Sequence, residues 1–509
     1  MARTRLPSLT LTPTTLALVV GILAFAARYA LTGAIENDHF VTFTRGLQVL
    51  HGDWPVRDFD DPGFPLSYLV STVTAALFGP SLFVNVLLCV LLLALTSVLT
   101  YHLAFRATGN TAAAFVAAVV TMAIYPRLYN ASKVIVPVVA IWLAWRYADA
   151  PDRRRLVALA LWSAVAFLLR HDYVVYVAAG YAVLLVMCHA DAPRELAVRL
   201  VSYAALSMLF IAPWLLYVQL FEGVSEYFAS ALRFVAAERR RTATGPQPVL
   251  FYVLTAVPIV GLMVSFRRGP RLGRAHLAAA SVMLLALDLV FLRDVLAARI
   301  PDVVAPTAVI AAAIAGHYLS QRAMKNVAII GMIVIVAAIT VQVARGSESV
   351  STLREPVGRI GQITRRLREV SADIIPNPST APLITYLSRC TAPDDRVLVA
   401  GFGPEIPALA HRPFAGGLPS WIPGYYDDRA DVARAIGRLN REHVAAAVML
   451  DGSTVLVNSW PELGEWIRSH GFEEHPVAAI DSRFRIWLPP PAADVSTDRE
   501  TGLPCERTR

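Results

Sequence analysis

The feature that most constrains this chain is a succession of twelve apolar runs, at 16–34, 65–79, 81–105, 111–126, 134–148, 156–169, 173–189, 196–221, 249–266, 275–292, 303–319 and 326–343. Most are long and carry no polar alternation, the pattern of helices that cross a bilayer, because the lipid interior offers the backbone no partner outside its own helix. Composition agrees: 56% of the 509 residues are apolar and 17% are charged, against about 45–50% and about 25% in soluble domains. A soluble globular enzyme is thereby excluded. Met1-Ala-Arg-Thr-Arg5 followed by the run at 16–34 has the look of a signal peptide, but no small-residue cleavage site follows, so the run reads as a first membrane helix with its N-terminus inside.

The net charge of +8 comes largely from arginines in short loops between apolar runs. That is the distribution of a membrane topology signal rather than a nucleic-acid footprint, and no nucleic-acid partner is expected. Arg153 to Arg155, then Arg267, Arg268, Arg271 and Arg274, then Arg322 with Lys325 mark three cytoplasmic loops. The loops around 35–64, 125–133, 170–172, 222–248 and 293–302, and the C-terminal part, then face outside. Twelve full crossings would return the C-terminus to the cytoplasm. The short run at 65–79, closed by Gly79-Pro80, is therefore expected to be a partial crossing, or else a thirteenth helix restores the count. The expected fold is a polytopic α-helical membrane protein with 11–13 membrane helices.

Three regions are expected: a membrane body at 1–345 with its first outside loop at 35–64, an outside α/β domain at 346–488, and a disordered Pro-rich, charged tail at 489–509. Within the domain, strands are expected at 396–400 and 443–450 and a closing pair of strands or one long strand over 477–487, with helices at 431–439 and 460–470. Gly401-Phe-Gly-Pro-Glu-Ile406 departs from a dinucleotide turn at the third glycine, so no nucleotide cofactor is expected there. Four scattered cysteines (Cys89, Cys188, Cys390 and Cys505) show no CxxC spacing; neither a zinc site nor a disulfide framework is expected.

The densest polar constellation is the first outside loop. It carries Glu36-Asn37-Asp38-His39, an amphipathic segment at 40–50 with Arg45, and then Asp53-Trp-Pro-Val-Arg57-Asp58-Phe-Asp60-Asp61-Pro-Gly-Phe-Pro65. Ionisable groups at a membrane boundary are costly and mark function when they face a cavity. Basic groups sit beside other outside helix ends: Arg127 and Lys133, Arg170-His171-Asp172, Arg239 to Arg241, Arg293 and Arg299. A carboxylate able to take a proton, beside cations able to hold a phosphate, suits transfer from a phosphate-linked donor. No GxxxxGK[ST], HExxH or GxSxG is present, so nothing supports NTP hydrolysis, zinc proteolysis or serine esterase chemistry.

The order of Asp38-His39-Phe40, Arg45-Gly46-Leu47, Leu50-His51-Gly52 and Pro55 through Pro65, with Pro393-Asp394-Asp395-Arg396-Val397-Leu398-Val399 before Pro404-Glu405-Ile406, resembles the GT-C superfamily of membrane glycosyltransferases, such as protein O-mannosyltransferases and the lipid A aminoarabinose transferase. The resemblance implies a polyprenyl-phosphate-linked sugar as donor, an outside glycan, lipid or protein as acceptor, and residence among the lipids of an inner or plasma membrane. It implies Asp38 as catalytic base, although the usual Asp-Glu pair is replaced by Glu36-Asn37-Asp38 and Glu36 stays in contention. Glu36, His39, Arg57, Asp58, Asp61, Lys133, Arg170, Asp172, Arg239, Arg293 and Arg299 are the candidate substrate-binding residues, and Trp421, Tyr425 and Tyr426 candidate sugar-stacking rings. No cofactor is implied; Asp58, Asp60 and Asp61 form an oxygen cluster suited to a divalent cation, which the resemblance does not require. The rival readings are a multi-pass lipid or solute transporter, or flippase, and a scaffold that keeps the fold without the activity.

Overall fold

The computed structural model describes residues 12–124, 126–241, 249–266, 273–291, 299–319, 326, 356–426, 428–450, 458–475, 477, 484–490 and 496–505. Its helical body comprises α1 (Pro13–Ala30), α2 (Asn37–Leu50), α3 (Pro65–Phe78), α4 (Leu82–Thr108), α5 (Thr111–Ala123), α6 (Ala131–Asp149), α7 (Arg153–Leu169), α8 (Tyr173–His189), α9 (Pro193–Phe221), α10 (Val224–Arg241), α11 (Val249–Ser265), α12 (Arg274–Phe291) and α13 (Ile300–Leu319). Eleven of the twelve apolar runs coincide with these helices; the run at 326–343 lies, but for its first residue, outside the described residues. Among the described residues, five helices are long and apolar enough to cross a membrane by length and composition alone.

The ends of the body are defined by side chains that meet there. At one end the Asp149 carboxylate on α6 holds Arg106 of α4 at 2.5 Å and His276 of α12 at 3.0 Å. At the other, Lys133 of α6 meets Asp302 of α13, and Arg170 and Asp172 join α7 to α8. The start of α4 lies at this second end, where Arg368 stands over the Phe83 ring. The start of α3 lies there too, with Ser67 donating to the Leu169 carbonyl at 3.0 Å. The helix α3 therefore begins and ends on one side and does not cross. Its 14 residues span about 21 Å, short of a hydrocarbon core of about 30 Å. The Gly79 turn, at φ +96°, and the Ser81 cap on Val84 reverse the chain into α4.

Two amphipathic helices lie at the same end. The first, α2, packs on α3 so closely that a Cβ at Gly46 would meet Ser71 at 2.7 Å. The second, α10, corrects the expected loop at 222–248: its charges at Glu226, Arg233 and Glu238 to Arg241 depress hydropathy while Tyr227 on its other face is buried.

The C-terminal domain opens with α14 (Pro356–Glu369), fixed to the end of α1 by the hydroxyls of Tyr29 and Thr364, 2.9 Å apart. It continues through α15 (Ala381–Cys390), β1 (Arg396–Ala400), α16 (Glu405–Ala410), α17 (Arg429–Leu439), β2 (Val444–Met449), α18 (Pro461–Ser469), β3 (Glu473–His475) and β4 (Arg485–Leu488). The strand order is β1-β2-β4-β3. The pair β1/β2 is parallel, with Val399 facing Val448, and β4 is antiparallel to both β2 and β3. The parallel pair needs a crossover, which α16 and α17 supply. Of the pair of strands or one long strand expected over 477–487, β4 falls there among the described residues; its antiparallel partner β3 lies ahead of that range, where Glu473, Glu474 and His475 hide an edge strand behind polar side chains.

Two further expectations are corrected by the chain's last residues. Within the tail expected to be disordered, β5 (Ser496–Thr497) pairs with β6 (Pro504–Cys505), and Arg389 of α15 holds Asp498 at 3.0 Å and Glu500 at 3.1 Å. Cys390 and Cys505, 115 residues apart, form a disulfide, whereas Cys89 and Cys188 are free.

Candidate active site at one end of the helical body

The helix α2 begins after a sharp exit from α1, capped by the Glu36 backbone in an extended conformation. Asp38 sits in its first turn, where the unpaired amides of a helix N-terminus favour negative charge, and it is exposed. Glu36, half-buried, lies 3.4 Å from the Arg127 guanidinium. Burial raises the Glu36 carboxyl above its ordinary range, against the pull of Arg127. Arg127 also donates to the Tyr129 hydroxyl at 3.2 Å, and the charge of Asp38 acts on that hydroxyl.

Tyr129 links this acidic corner to a cationic one. Its ring lies under the Lys133 ammonium, 5.8 Å from the centroid, as the four-residue spacing on a helix allows. Lys133 reaches Asp302 of α13 at 3.8 Å, and Asn130 donates to the same carboxylate oxygen at 3.2 Å. Asp302 is buried, while Lys133 keeps 14% of its side-chain surface. Arg170 pairs with Asp172 at 2.9 Å and lies over the Phe64 and Tyr173 rings. Lys133 experiences the charges of Arg170, Asp302, Arg299 and Asp172, which places all five groups in one neighbourhood. Arg299 in turn approaches Glu238 of α10 at 3.9 Å.

Of the residues expected from the sequence, Asp38, Glu36, Lys133, Arg170, Asp172 and Arg299 are thus brought together. Others are not. His39 is buried against Phe40 and Asn85, and burial pushes its pKa down to about 4. Arg57 and Asp58 pair with one another at 2.6 Å, and Asp58 also accepts from the Trp54 amide at 2.8 Å, closing their own turn. Asp61 is buried and accepts from the amides of Gly63 and Phe64 and the hydroxyls of Tyr68 and Tyr227. Arg239 lies exposed near the end of α10, and Arg293 falls outside the described residues. The cluster of Asp58, Asp60 and Asp61 is divided among separate partners, since Asp60 pairs with Arg438 at 3.0 Å. Among the described residues, no three His, Cys, Asp or Glu side chains stand together in a way that could hold a metal ion. Trp421 is fully buried against Trp460 and cannot stack on a sugar, while Tyr425 packs on Phe234 of α10.

The C-terminal domain closes over the first loop at this end. Gln48 of α2 both donates to the Phe414 carbonyl and accepts from its amide. Arg396 at the start of β1 grips both oxygens of Asp53 at 2.7 and 3.1 Å. Thr44 donates to the Pro404 carbonyl at 2.7 Å and Asn37 to that of Phe402 at 3.2 Å. The glycine turn after β1 is spent on packing: a Cβ at Gly401 would meet Leu450 at 2.5 Å, and the Gly403 amide donates to Ser420. The residues missed in the sequence are the connectors Tyr129, Asn130 and Asp302. The spacing of Tyr129 to Lys133 was a usable signal; nothing local marks Asp302 as the anchor of Lys133.

No protein-family model matches the chain, and no curated protein matches it. Among solved structures, it is similar to ArnT from Cupriavidus metallidurans, crystallised bound to undecaprenyl phosphate, at 16% identity and a TM-score of 0.55. The match covers 93% of this chain and 97% of the other. The helical body and the C-terminal domain together therefore share the fold of that structure.

Proposed function

We propose that the protein is an integral-membrane glycosyltransferase that moves a sugar from a polyprenyl-phosphate donor to an acceptor outside the cytoplasm, a glycan, lipid or protein. The observation that carries this reading is the convergence, at one end of the helical body, of the exposed Asp38 carboxylate with a cation set formed by Lys133, Arg170 and Arg299, spanned by the single side chain of Tyr129. In the proposed step Asp38 takes the acceptor's hydroxyl proton as the acceptor oxygen bonds to the anomeric carbon. The bond from that carbon to the phosphate oxygen breaks, and the charge gathering on the leaving phosphate is met by the guanidinium and ammonium groups. The bond to the phosphate supplies the driving force, so neither nucleotide nor metal enters the scheme. The undecaprenyl phosphate bound by the ArnT neighbour supports the donor class, and Arg153 to Arg155 at the opposite end support an outside-facing site. The Cys390–Cys505 disulfide supports the same orientation, since such bonds persist in oxidising compartments.

The test is binding and turnover of radiolabelled polyprenyl-phosphate sugars by the protein in nanodiscs, wild type beside Asp38→Asn and Glu36→Gln. Transfer by the wild type that falls roughly 10²–10⁴-fold in Asp38→Asn, with donor binding kept, is the expected result. A full rate in Asp38→Asn with loss in Glu36→Gln moves the base to Glu36. Failure to bind any donor, with sugar-independent lipid translocation in proteoliposomes, overturns the transferase reading in favour of a transporter.

A further inference from the structure

At the end of the body opposite the candidate site, the first turns of α7 and α9 border a cleft of about 940 Å³, within the range of roughly 300–1,000 Å³ usual for ligand sites. Its walls are apolar along Leu156, Val198, Leu206 and Leu209, and its rim carries Arg153 and Arg194. The helix α9 stays only loosely covered, with Val198, Val201, Met208 and Leu209 all more than half exposed. It is fixed to α7 midway by the Ser163 and Tyr203 hydroxyls, 2.6 Å apart.

The charges of the cleft satisfy one another only in part. Glu195, the acid lining the cleft, is held by Arg199 at 3.1 Å and lies 3.6 Å from His189. Arg155 is spent on the carbonyls of Arg146 and Ala150 and on Asp152. Arg153 and Arg194, from two different helices, make no ion pair or side-chain hydrogen bond among the described residues and are exposed. An apolar channel topped by two unpaired guanidiniums, at the level of a membrane surface, is complementary to a molecule with an acyl chain and an anionic phosphate head.

We infer that this cleft is a binding site for an anionic glycerophospholipid of the leaflet at that end, its phosphate between Arg153 and Arg194 and an acyl chain along α9. The occupant covers the loosely packed face of α9, the helix that leads directly into α10 and its contact with Arg299. The site is separate from the proposed transferase chemistry and stands or falls without it.

The test is native mass spectrometry of the delipidated full-length protein titrated with dioleoyl phosphatidylglycerol, dioleoyl phosphatidylcholine or undecaprenyl phosphate. It is paired with cross-linking by a diazirine-tailed phosphatidylglycerol. Phosphatidylglycerol is expected to bind in preference to phosphatidylcholine and to label the α9 segment from Val198 to Leu209. Arg153→Gln and Arg194→Gln should each weaken binding about fivefold and together about twenty-five-fold, while Arg441→Gln, exposed in the C-terminal domain, leaves it unchanged. Circular dichroism and gel filtration show which variants are folded, and the single substitutions decide where the double does not fold. Equal binding of the two phospholipids, unchanged binding by the folded variants, labelling elsewhere, or preference for undecaprenyl phosphate at the same segment each overturns the inference.

Discussion

Asp61 illustrates how an acid-rich stretch divides into separate roles once each side chain has its partners. With four donors converging on its carboxylate, it ties the first loop to Tyr227 of α10 and, through that hydroxyl, to His171. Removing a buried acceptor strands its donors at about 1–3 kcal/mol. Asp61→Ala is therefore expected to lower stability by more than about 3 kcal/mol in thermal melts, whereas Arg57→Gln, which removes an exposed pair with Asp58 and an exposed bond to the Gly52 carbonyl, shifts it by less than about 1 kcal/mol. A second residue-scale expectation concerns Glu405, which is buried with one carboxylate oxygen unpartnered and has its pKa pushed up to about 7 by burial. Because the folded pKa lies above the ordinary 4.5, the fold holds this proton more tightly than the unfolded chain. The gain is complete below about pH 4.5 and is lost as pH rises through 7. Glu405→Gln should thus melt higher than wild type at pH 8, by roughly 2–3 kcal/mol, and not at pH 4.5. Residue type was legible in the sequence, and Asp38, Lys133 and Arg170 do gather at one place. Partnership was not legible: Arg57 and Asp58 close on each other, and Asp61 faces inward to donors as distant as Tyr227.

Among the elements, α2 is the hinge between sequence and site, because it presents Asp38 at its start and receives the C-terminal domain through Thr44 and Gln48. Its position depends on near contact with α3 at Gly46. Gly46→Val would drive a side chain into Ser71, and overpacking of this kind costs about 1–3 kcal/mol. The expected result is a lower melting temperature together with reduced transfer, as Asp38 is displaced from Tyr129. Gly437→Ala in α17, where nothing lies within 4 Å of the added Cβ, is expected to raise stability by up to about 1 kcal/mol. Normal melting and transfer in Gly46→Val would show that α2 is not positioned by this contact. Element identity was readable wherever apolar patterning was strong, as in α4, α9 and β2. It failed at α10 and β3, where charged residues such as Arg233 and Glu473 occupy one face of a half-buried element and lower the average that a linear reading detects. The partial crossing of α3 was one of two ways to satisfy the parity that a charge-based topology requires, a thirteenth helix being the other, because parity constrains the whole chain rather than one segment.

For the whole molecule, polarity between the two ends is the organising fact. One end gathers Asp38, Lys133, Arg170 and Arg299 and is covered by the C-terminal domain through Asp53–Arg396 and Asp60–Arg438. The other carries Arg153, Arg194 and the Arg106–Asp149–His276 cluster. The pairings across the first end join residues 343 and 378 positions apart, and no local pattern encodes such partners. The Cys390–Cys505 disulfide belongs to the same scale, because it fastens β6 to α15, and bonds of this kind persist in oxidising compartments. A membrane-impermeant maleimide applied to intact cells or sealed right-side-out vesicles is expected to label Cys390 and Cys505 only after reduction. A cysteine placed at Arg153 in an otherwise cysteine-free chain should label only once the membrane is permeabilised. The disulfide also closes a long loop, so reducing it without denaturant should lower the melting temperature by the equivalent of about 2–4 kcal/mol. That loss should fall on the C-terminal domain before the helical body. Labelling at Arg153 in sealed vesicles would invert the molecule in the membrane and place the Asp38 cluster on the cytoplasmic side, where an outside acceptor could not reach it.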